Sequence, residues 1–172
     1  MKSLFKSALA ITLLSAAAAQ AQPVANGPQA PEFAGIEKWL NTEPLSMQQL
    51  RGKVVLVDFW TYTCINCVRT LPYVKSWYDK YQSQGLVVVG VHTPEYPFER
   101  STQNVAAALK KFDIRYPVAQ DNRYTTWSAY NNQFWPATYL INKKGQIVYT
   151  HFGEGNYPET EAAIRNLLAQ PG

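Results

Sequence analysis

The sequence is organised around residues 54–72, which read VVLVDFWTYTCINCVRTLP. The first seven of these residues are nearly all apolar, which is typical of a strand buried on both faces in a parallel sheet. A short polar turn follows, and it delivers Cys64 and Cys67 at the start of a helical pattern. These are the only two cysteines of the 172-residue chain. Because they are spaced C-x-x-C, their sulfur atoms can reach each other across one helical turn.

The position of Cys64 at the start of a helix predicts a reactive thiolate. The first N–H groups of a helix have no internal partners and the helix dipole favours negative charge there, so the pKa of this thiol should fall. Cys64 is then expected to attack a partner disulfide and form a mixed disulfide that Cys67 resolves. A structural disulfide or half of a zinc site is the alternative, but zinc needs more ligands than one cysteine pair. We therefore predict a catalytic dithiol with neither a metal ion nor another cofactor.

Asp58 is an acid in the otherwise apolar strand that precedes the cysteines. A buried carboxyl group prefers its neutral form, and it could exchange a proton with Cys67. A solvated acid at the end of a strand is the alternative. The flanking residues Val57, Phe59 and Trp60 favour burial, so we predict that Asp58 acts in proton transfer.

Residues 1–21 have the pattern of a secretory signal peptide, with a basic start, an apolar segment at 8–19 and a small-residue cleavage site. The apolar segment is too short to span a bilayer, which favours a removed signal over a membrane anchor. Residues 22–32 are rich in proline, alanine, glutamine and glycine, and they are expected to form a flexible linker. The remainder, residues 33–170, is long enough for one domain with a sizeable core.

The charge of the chain is small once the predicted signal peptide is set aside. The net charge is +4, and Lys2 and Lys6 belong to the signal peptide, so that about +2 remains on the mature chain. This value gives no electrostatic case for binding nucleic acid. No later stretch predicts a transmembrane helix, and export would place the domain where disulfides persist.

Strand and helix patterns alternate along the rest of the chain. The apolar run at residues 86–91 predicts a second buried strand, so that residues 54–91 form a right-handed βαβ unit. Residues 33–50 predict a short strand or hairpin with a turn of helix. Further helices are predicted at 102–112 and 159–168, and a short helix or turn at 124–130. A short strand is predicted at 116–119, and an antiparallel hairpin from 137–141 and 146–151.

These motifs together resemble the thioredoxin superfamily. Asp58, Trp60, the two cysteines and Pro72 match the spacing of thioredoxin, and Pro136 opens a later strand as the proline of that family does. The resemblance covers residues 33–168. It implies an α/β thioredoxin-like fold, in which a central mixed sheet is flanked by helices.

The resemblance narrows to one branch of the superfamily. The helix and strand predicted between residues 95 and 121 resemble the inserted element of the TlpA-like and peroxiredoxin-like branches. Residues 59–67, 91–95 and 152–155 resemble the soluble redox domain of DipZ-type proteins, in which that domain is fused to a CcdA-like membrane part. This resemblance implies protein disulfides as substrates and a separate membrane electron donor of the CcdA/DsbD type. Together with the signal peptide, it implies the bacterial periplasm.

The resemblance also implies roles for residues around the dithiol. Pro136 should be cis and lie beside Cys64, and the backbone next to it, at Trp135, should pair with a bound substrate segment. Glu95 resembles an acidic residue near the cysteines of TlpA-like reductases, and it would share or replace the role of Asp58. The alternative for Glu95 is a solvated acid in a loop.

Several aromatic residues fall in loops that this fold would gather near Cys64. They either form an apolar docking surface for a partner protein, with Tyr62 in the substrate-binding set, or belong to the core. These residues are Tyr62, Tyr96, Phe98, Phe134 and Trp135.

The sequence thus predicts an exported thiol:disulfide oxidoreductase that reduces protein disulfides, and two alternatives of the same fold stay open. A peroxiredoxin-like peroxidase needs the pattern Pro-x-x-x-Thr/Ser-x-x-Cys. Thr61 fits this pattern, but Val57 occupies the position of the proline. A Sco-like copper chaperone uses C-x-x-x-C and a distant histidine, whereas the spacing here is C-x-x-C.

Overall fold

The computed structural model describes residues 27–171. The predicted signal peptide and residues 22–26 of the predicted linker lie outside this range. Within residues 27–171 the fold has six strands and four α-helices, with 3₁₀ helices at Gln82–Gln84 and Pro97–Arg100. The strands are β1 (Lys38–Leu40), β2 (Val54–Trp60), β3 (Leu86–His92), β4 (Val118–Gln120), β5 (Ala137–Ile141) and β6 (Ile147–Phe152). The helices are α1 (Ile65–Tyr81), α2 (Thr102–Lys111), α3 (Thr125–Ala129) and α4 (Tyr157–Ala169).

The six strands form one mixed sheet in the order β1-β4-β3-β2-β5-β6. Strands β2, β3 and β4 are parallel to one another, whereas β1, β5 and β6 run antiparallel to their neighbours. Helix α1 connects β2 to the parallel strand β3, which is the predicted βαβ unit. The expected α/β thioredoxin-like fold with a central mixed sheet is confirmed.

The continuous apolar run of β2 reflects a strand with a core on each side, because all seven of its residues are buried. Side chains alternate between the two faces of a strand. Leu56 and Trp60 pack on the face that carries Cys67 and Leu71 of α1, and Phe59 packs in the second core on the opposite face. The strand next to the cysteines is therefore fixed from both sides.

The predicted helix and strand insertion is present as α2 and β4, and β4 lies between β3 and the short N-terminal strand β1. The boundaries of β4 differ from the prediction, which placed the strand at residues 116–119. The carbonyl of Pro117 does accept a hydrogen bond from Gly90 of β3, but the paired strand begins at Val118. The turn of helix expected within residues 33–50 is a hydrogen-bonded turn near Leu50.

The last residues of the predicted linker are packed against the domain, which corrects the expectation of a flexible segment through residue 32. Gln29 forms an isolated β-bridge with Gln146. The carboxylate of Glu32 accepts hydrogen bonds from the backbone N–H groups of Met47 and Gln48 at 2.7 and 3.0 Å. These contacts tie the segment to the start of β6 and to the turn before β2.

The fold gathers the functional residues at the carboxyl ends of β2 and β3, which are parallel neighbours. The loop after β2 leads into α1, and the loop after β3 carries the 3₁₀ helix Pro97–Arg100. This edge of an α/β sheet is where such folds commonly place their sites. Among residues 27–171, no helix is both long and apolar enough to cross a membrane.

Candidate active site

Cys64 occupies the N-cap position of α1, with an extended backbone at φ −69° and ψ 112°. Its sulfur accepts a hydrogen bond from the backbone N–H of Cys67 at 3.2 Å. The pKa of Cys64 is lowered to about 7, because hydrogen bonds stabilise its thiolate. The largest contribution comes from the thiol of Cys67, and smaller ones come from the backbone N–H groups of Cys67 and Asn66, while partial burial opposes the shift. Cys64 is half-buried, and a substantial fraction of it is ionised at neutral pH.

Cys67 lies one turn further along α1 and is only 1% exposed. Burial, and then its hydrogen bond to the sulfur of Cys64, raises the pKa of the Cys67 thiol well above its ordinary value. Both cysteines are free thiols in this structure. The two cysteines thus differ in pKa and in exposure. Cys64 has the ionised sulfur that an attacking nucleophile needs, and Cys67 has a buried, neutral thiol.

Asp58 is buried in β2, as the sequence predicted, and it pairs with Gly90 of β3 and Thr138 of β5. Burial, and then the negative charge of Cys64, raises the pKa of Asp58 to about 8. The negative charge of Asp58 in turn helps to raise the pKa of Cys67. Asp58 is therefore a neutral acid near pH 7 that can take up or release a proton close to the dithiol.

Glu95, the second acid chosen from the sequence, lies exposed in the loop after β3. Its charge acts on Cys64 in the unfavourable direction, because it raises the pKa of that thiol. Its backbone N–H donates to the carboxylate of Glu99 at 2.6 Å. The structure therefore places Glu95 at the site, but as an exposed carboxylate.

Glu99 is the buried acid of this loop, and it is not among the site residues predicted from the sequence. It is fully buried, and its carboxylate accepts hydrogen bonds from the Thr63 hydroxyl at 2.5 Å and from the Thr63 N–H at 3.4 Å. It also accepts from the N–H groups of Glu95 and Tyr96. Burial alone would raise the pKa of Glu99, but these bonds and one from Thr61 outweigh burial and lower it. Glu99 therefore holds the residue before Cys64 against the loop after β3.

A sequence signal for Glu99 existed. Proline is favoured in the first turn of a helix, and a glutamate at the third helical position can accept from the N-cap N–H. Pro97 and Glu99 have this spacing, and the Glu99 side chain bonds the N–H of Tyr96, the N-cap residue. The signal is weak because the usual N-cap residues are serine, threonine, aspartate and asparagine, not tyrosine.

Tyr62 lies in the loop before Cys64 and packs on His92, with parallel rings whose centroids are 5.5 Å apart. Its hydroxyl donates to the carbonyl of Phe98 at 3.2 Å. His92 is fully buried, and its Nε2 lies 3.3 Å from the hydroxyl oxygen of Thr61. Burial lowers the pKa of His92 to about 4, so this ring is neutral at physiological pH. His92 is thus a buried support beneath Tyr62.

What we call the aromatic surface consists of Tyr62 from the loop before Cys64 and of Tyr96 and Phe98 from the loop after β3. Tyr96 and Phe98 are 49% and 54% exposed, and their rings stack with centroids 5.7 Å apart. Phe98 also contacts Tyr62, with centroids 6.5 Å apart. Phe134 is exposed as well, whereas Trp135 is half-buried. Most of these loop aromatics therefore face solvent and are not core residues.

The peptide bond between Trp135 and Pro136 is cis, as the resemblance implied. The indole N–H of Trp135 donates to the carbonyl of Thr93 at 3.0 Å, and its ring packs on Trp127 with centroids 4.2 Å apart. The carbonyl of Pro136 accepts from the N–H of Gly153. The backbone N–H and C=O of Trp135 make no hydrogen bond within the described residues, so they are available for a peptide segment.

The described residues contain no group of three or more His, Cys, Asp and Glu side chains arranged to hold a metal ion. The site consists of an asymmetric pair of thiols with a buried acid behind it, presented at the start of a helix on an α/β sheet. This arrangement is typical of the thioredoxin-like class of redox proteins.

Comparison with known proteins agrees with this class. The model of the Redoxin family matches residues 25–168, and the chain belongs to this family. Protein DipZ of Mycobacterium bovis is 51% identical over 148 residues, which cover 83% of this chain and 21% of DipZ. The thiol-disulfide oxidoreductase ResA of Bacillus subtilis is 30% identical over 96% of this chain and 87% of its own length. These relatives place the chain in the TlpA-like branch of the thioredoxin superfamily.

A solved structure shows the same fold. The crystal structure of the thioredoxin-like superfamily protein SPOA0173 superposes with a TM-score of 0.78 at 26% identity, and covers 85% of this chain and 99% of that chain. The chain spans about one fifth of the length of DipZ, whereas it spans most of ResA.

Proposed function

We propose that this protein is exported to the bacterial periplasm, where it reduces disulfides in other proteins. The observation that carries the proposal is the Cys64 thiol, whose pKa is about 7 at the N-cap of α1, directly in front of the protected thiol of Cys67. Thioredoxin, a reductant, has a nucleophilic cysteine with a pKa of about 7, whereas that of the strong oxidant DsbA is about 3.5. A thiolate that is only moderately stabilised favours release of electrons to a substrate.

The reaction consists of two thiol–disulfide exchanges. The Cys64 thiolate attacks one sulfur atom of a substrate disulfide, and the other substrate sulfur leaves as a thiolate that takes up a proton. Cys67 then loses its proton and attacks the sulfur of Cys64, so that the Cys64–Cys67 disulfide forms and the second substrate sulfur is released. Two electrons pass from the dithiol to the substrate. The two protons taken up by the substrate thiols balance the proton of Cys67 and the proton that Cys64 released to solvent when it ionised.

Proton removal from Cys67 is the difficult part of this cycle, because burial strongly favours the neutral thiol. Asp58 is the buried acid whose charge acts on Cys67, and its pKa of about 8 lies near the working pH. In our proposal its ionised form accepts the proton of Cys67, and its neutral form returns a proton to the leaving thiolate. Glu95 lies exposed and does not take this role in the proposal.

Two surfaces at the carboxyl ends of β2 and β3 suit a protein substrate. The free backbone groups of Trp135 can pair with an extended segment, as an added strand pairs with a sheet edge. The aromatic surface offers Tyr96 and Phe98 as exposed apolar contacts on the loop after β3. Substrate selection in this proposal therefore depends on residues around the cysteine of the partner as well as on the disulfide.

The oxidised dithiol must be reduced again before the next turnover. We infer a membrane electron donor of the CcdA/DsbD type, because no reductant diffuses freely in the periplasm, where the machinery is oxidising. The similarity to DipZ supports this source of electrons. The donor would approach Cys64 from the same exposed face as the substrates.

The decisive measurement is the reduction potential of the Cys64–Cys67 pair. A value close to the −270 mV of thioredoxin is expected, and a value near the −120 mV of DsbA would make the protein a disulfide donor instead. A Cys67→Ser variant should trap mixed disulfides with substrates in periplasmic extracts, whereas Cys64→Ser should trap none. Absence of the trapped protein from the periplasmic fraction of cells that express the full chain would contradict the proposed export.

A further inference from the structure

Asp58 lies in a small polar region of an otherwise apolar core. Because side chains alternate along β2, Asp58 shares a sheet face with Leu56 and Trp60, the face that α1 covers. Its partner on β3 is Gly90. The Oδ1 atom of Asp58 is buried and has no hydrogen-bond partner within the described residues. An ionised carboxylate at such a place needs a donor, since an unpaired buried charge is costly.

Two aromatic side chains approach Gly90 beside this carboxyl group. A Cβ atom at Gly90 would lie 3.0 Å from Nε1 of Trp60 and 3.1 Å from Cε2 of Tyr116. The hydroxyl of Tyr116 is bonded to the ring carbon next to Cε2, so it also lies close to the space that a Cβ atom at Gly90 would occupy. The indole N–H and the hydroxyl are both buried without a hydrogen-bond partner in the described part of the chain. A glycine at position 90 therefore lets two unpartnered polar groups approach Asp58.

Among the described residues, no buried lysine or arginine is available to pair with Asp58. The titratable groups that interact with Asp58 are Cys64 and Cys67 from α1 and Tyr116 from the segment before β4. Burial, and then the charges of Asp58 and Cys67, raises the pKa of Tyr116 well above 10. The phenol thus stays a neutral hydrogen-bond donor throughout the range in which Asp58 titrates.

We propose that Tyr116 is a positioning residue for proton transfer, whose hydroxyl, together with the Trp60 indole N–H, donates through a shared water to Asp58 and stabilises its carboxylate. Buried waters typically bridge two to four polar atoms that would otherwise lack partners, and the region around Gly90 holds three such atoms. Tyr116 does not touch the reacting sulfur atoms in this scheme. It acts through Asp58, so its effect should appear in the titration of Asp58.

This inference adds a residue to the proposed redox cycle, and the role of Tyr116 in proton transfer rests on that proposed function. When Cys67 attacks the mixed disulfide, its proton moves to the Asp58 carboxylate, and the S–S bond to the substrate breaks as the Cys64–Cys67 bond forms. The hydroxyl of Tyr116 makes this proton transfer more frequent, because it raises the fraction of Asp58 that is ionised. Without the hydroxyl, a higher pH is needed to reach the same ionised fraction.

The test is the titration of the Asp58 carboxyl carbon by NMR in the reduced protein. The Tyr116→Phe variant removes one hydroxyl oxygen, and its Asp58 midpoint should lie about one pH unit above that of the wild type, as expected for the loss of a hydrogen bond to a charged group. Tyr130→Phe is the matched control. The hydroxyl of Tyr130 is also buried and unpartnered, but it belongs to the core on the opposite face of the sheet.

An unchanged Asp58 midpoint in folded Tyr116→Phe would overturn the proposal, and so would an equal shift in Tyr130→Phe. Trp60→Phe removes the indole N–H and provides a second test, with a shift in the same direction. The titration does not depend on turnover, so it separates this inference from the proposed function. A wild-type protein that reduces no disulfide would contradict the function, whereas the Asp58 midpoints would still report on Tyr116.

Discussion

The hydroxyl of Thr63 donates to the buried carboxylate of Glu99 across 2.5 Å. This bond joins the residue before the nucleophile to the loop after β3, since the same carboxylate holds the N–H groups of Glu95 and Tyr96. The aromatic surface and Cys64 are therefore parts of one hydrogen-bonded unit. Motion of one loop must strain the other, so these hydrogen bonds fix the position of Cys64 relative to the aromatic surface.

Glu99→Gln should destabilise the protein by about 2 kcal/mol, because an amide group turns one of its own donors toward N–H and O–H groups that now lack an acceptor. Thermal unfolding at pH 7 measures this loss. Glu95→Gln is the matched control. Glu95 is exposed, so this change should leave the melting temperature unchanged. Equal destabilisation by the two variants would show that the buried bonds of Glu99 do not hold the loops.

The pKa of Cys64 should be visible in its rate of alkylation by iodoacetamide, which should rise with pH around a midpoint of about 7. Cys67→Ala removes the thiol that contributes most to stabilising the thiolate, so the midpoint should move upward. Cys67→Ser retains a donor at that position and should shift the midpoint less. A midpoint near that of a free thiol in the wild type would contradict the described environment of Cys64.

Much of the fold could be predicted because its signals are local. The strands of residues 54–60 and 137–141 were predicted with their observed bounds, since continuous apolar runs end at clear polar turns. The helix that ends the chain begins at Tyr157, two residues earlier than predicted, because Pro158 fits the first turn of a helix. Burial of Asp58 also followed from its apolar neighbours.

What the sequence did not indicate depends on contacts between distant segments. Glu99 is buried because Thr63, which is 36 residues away, supplies its donors, and no local pattern records that pairing. Glu95 was predicted from its resemblance to an acidic residue near the cysteines of TlpA-like reductases, and that resemblance carries no information on Glu99. The two unpartnered groups beside Gly90 come from Trp60 and Tyr116, which only the sheet brings together. Long-range side-chain partners of this kind require the assembled fold.

Asp58→Asn should stabilise the folded state more strongly as the pH rises. The pKa of Asp58 is about 8 in the folded protein and about 3.8 in an unfolded chain, so the carboxyl group is neutral in both states below pH 3.8. Between these values the unfolded chain releases the proton and the folded protein keeps it, so this contribution to wild-type stability is lost as the pH rises toward 8. The asparagine variant has no such loss.

Chemical denaturation of both proteins at several pH values measures this difference. At pH 4 they should differ little, and at pH 7 the variant should be more stable by on the order of 3 kcal/mol. His92, whose pKa is lowered to about 4, makes both proteins less stable in acid and cancels in the comparison. A constant difference across the range would contradict a buried, neutral Asp58. The variant should also turn over more slowly, because Cys67 loses its proton acceptor.

The aromatic surface should matter for protein substrates and not for small disulfides. Phe98→Ala removes an exposed ring that stacks on Tyr96. A contact of this kind is worth on the order of 1 kcal/mol when a partner covers it, so KM for a disulfide-containing protein should rise about fivefold. The kcat/KM for oxidised glutathione should stay the same, because that substrate is too small to reach the surface. Tyr73→Ala, which removes another exposed aromatic ring from α1, is the control and should change neither value. If Phe98→Ala slowed both reactions equally, the ring would be supporting the loop of Cys64 and not the docking of a partner.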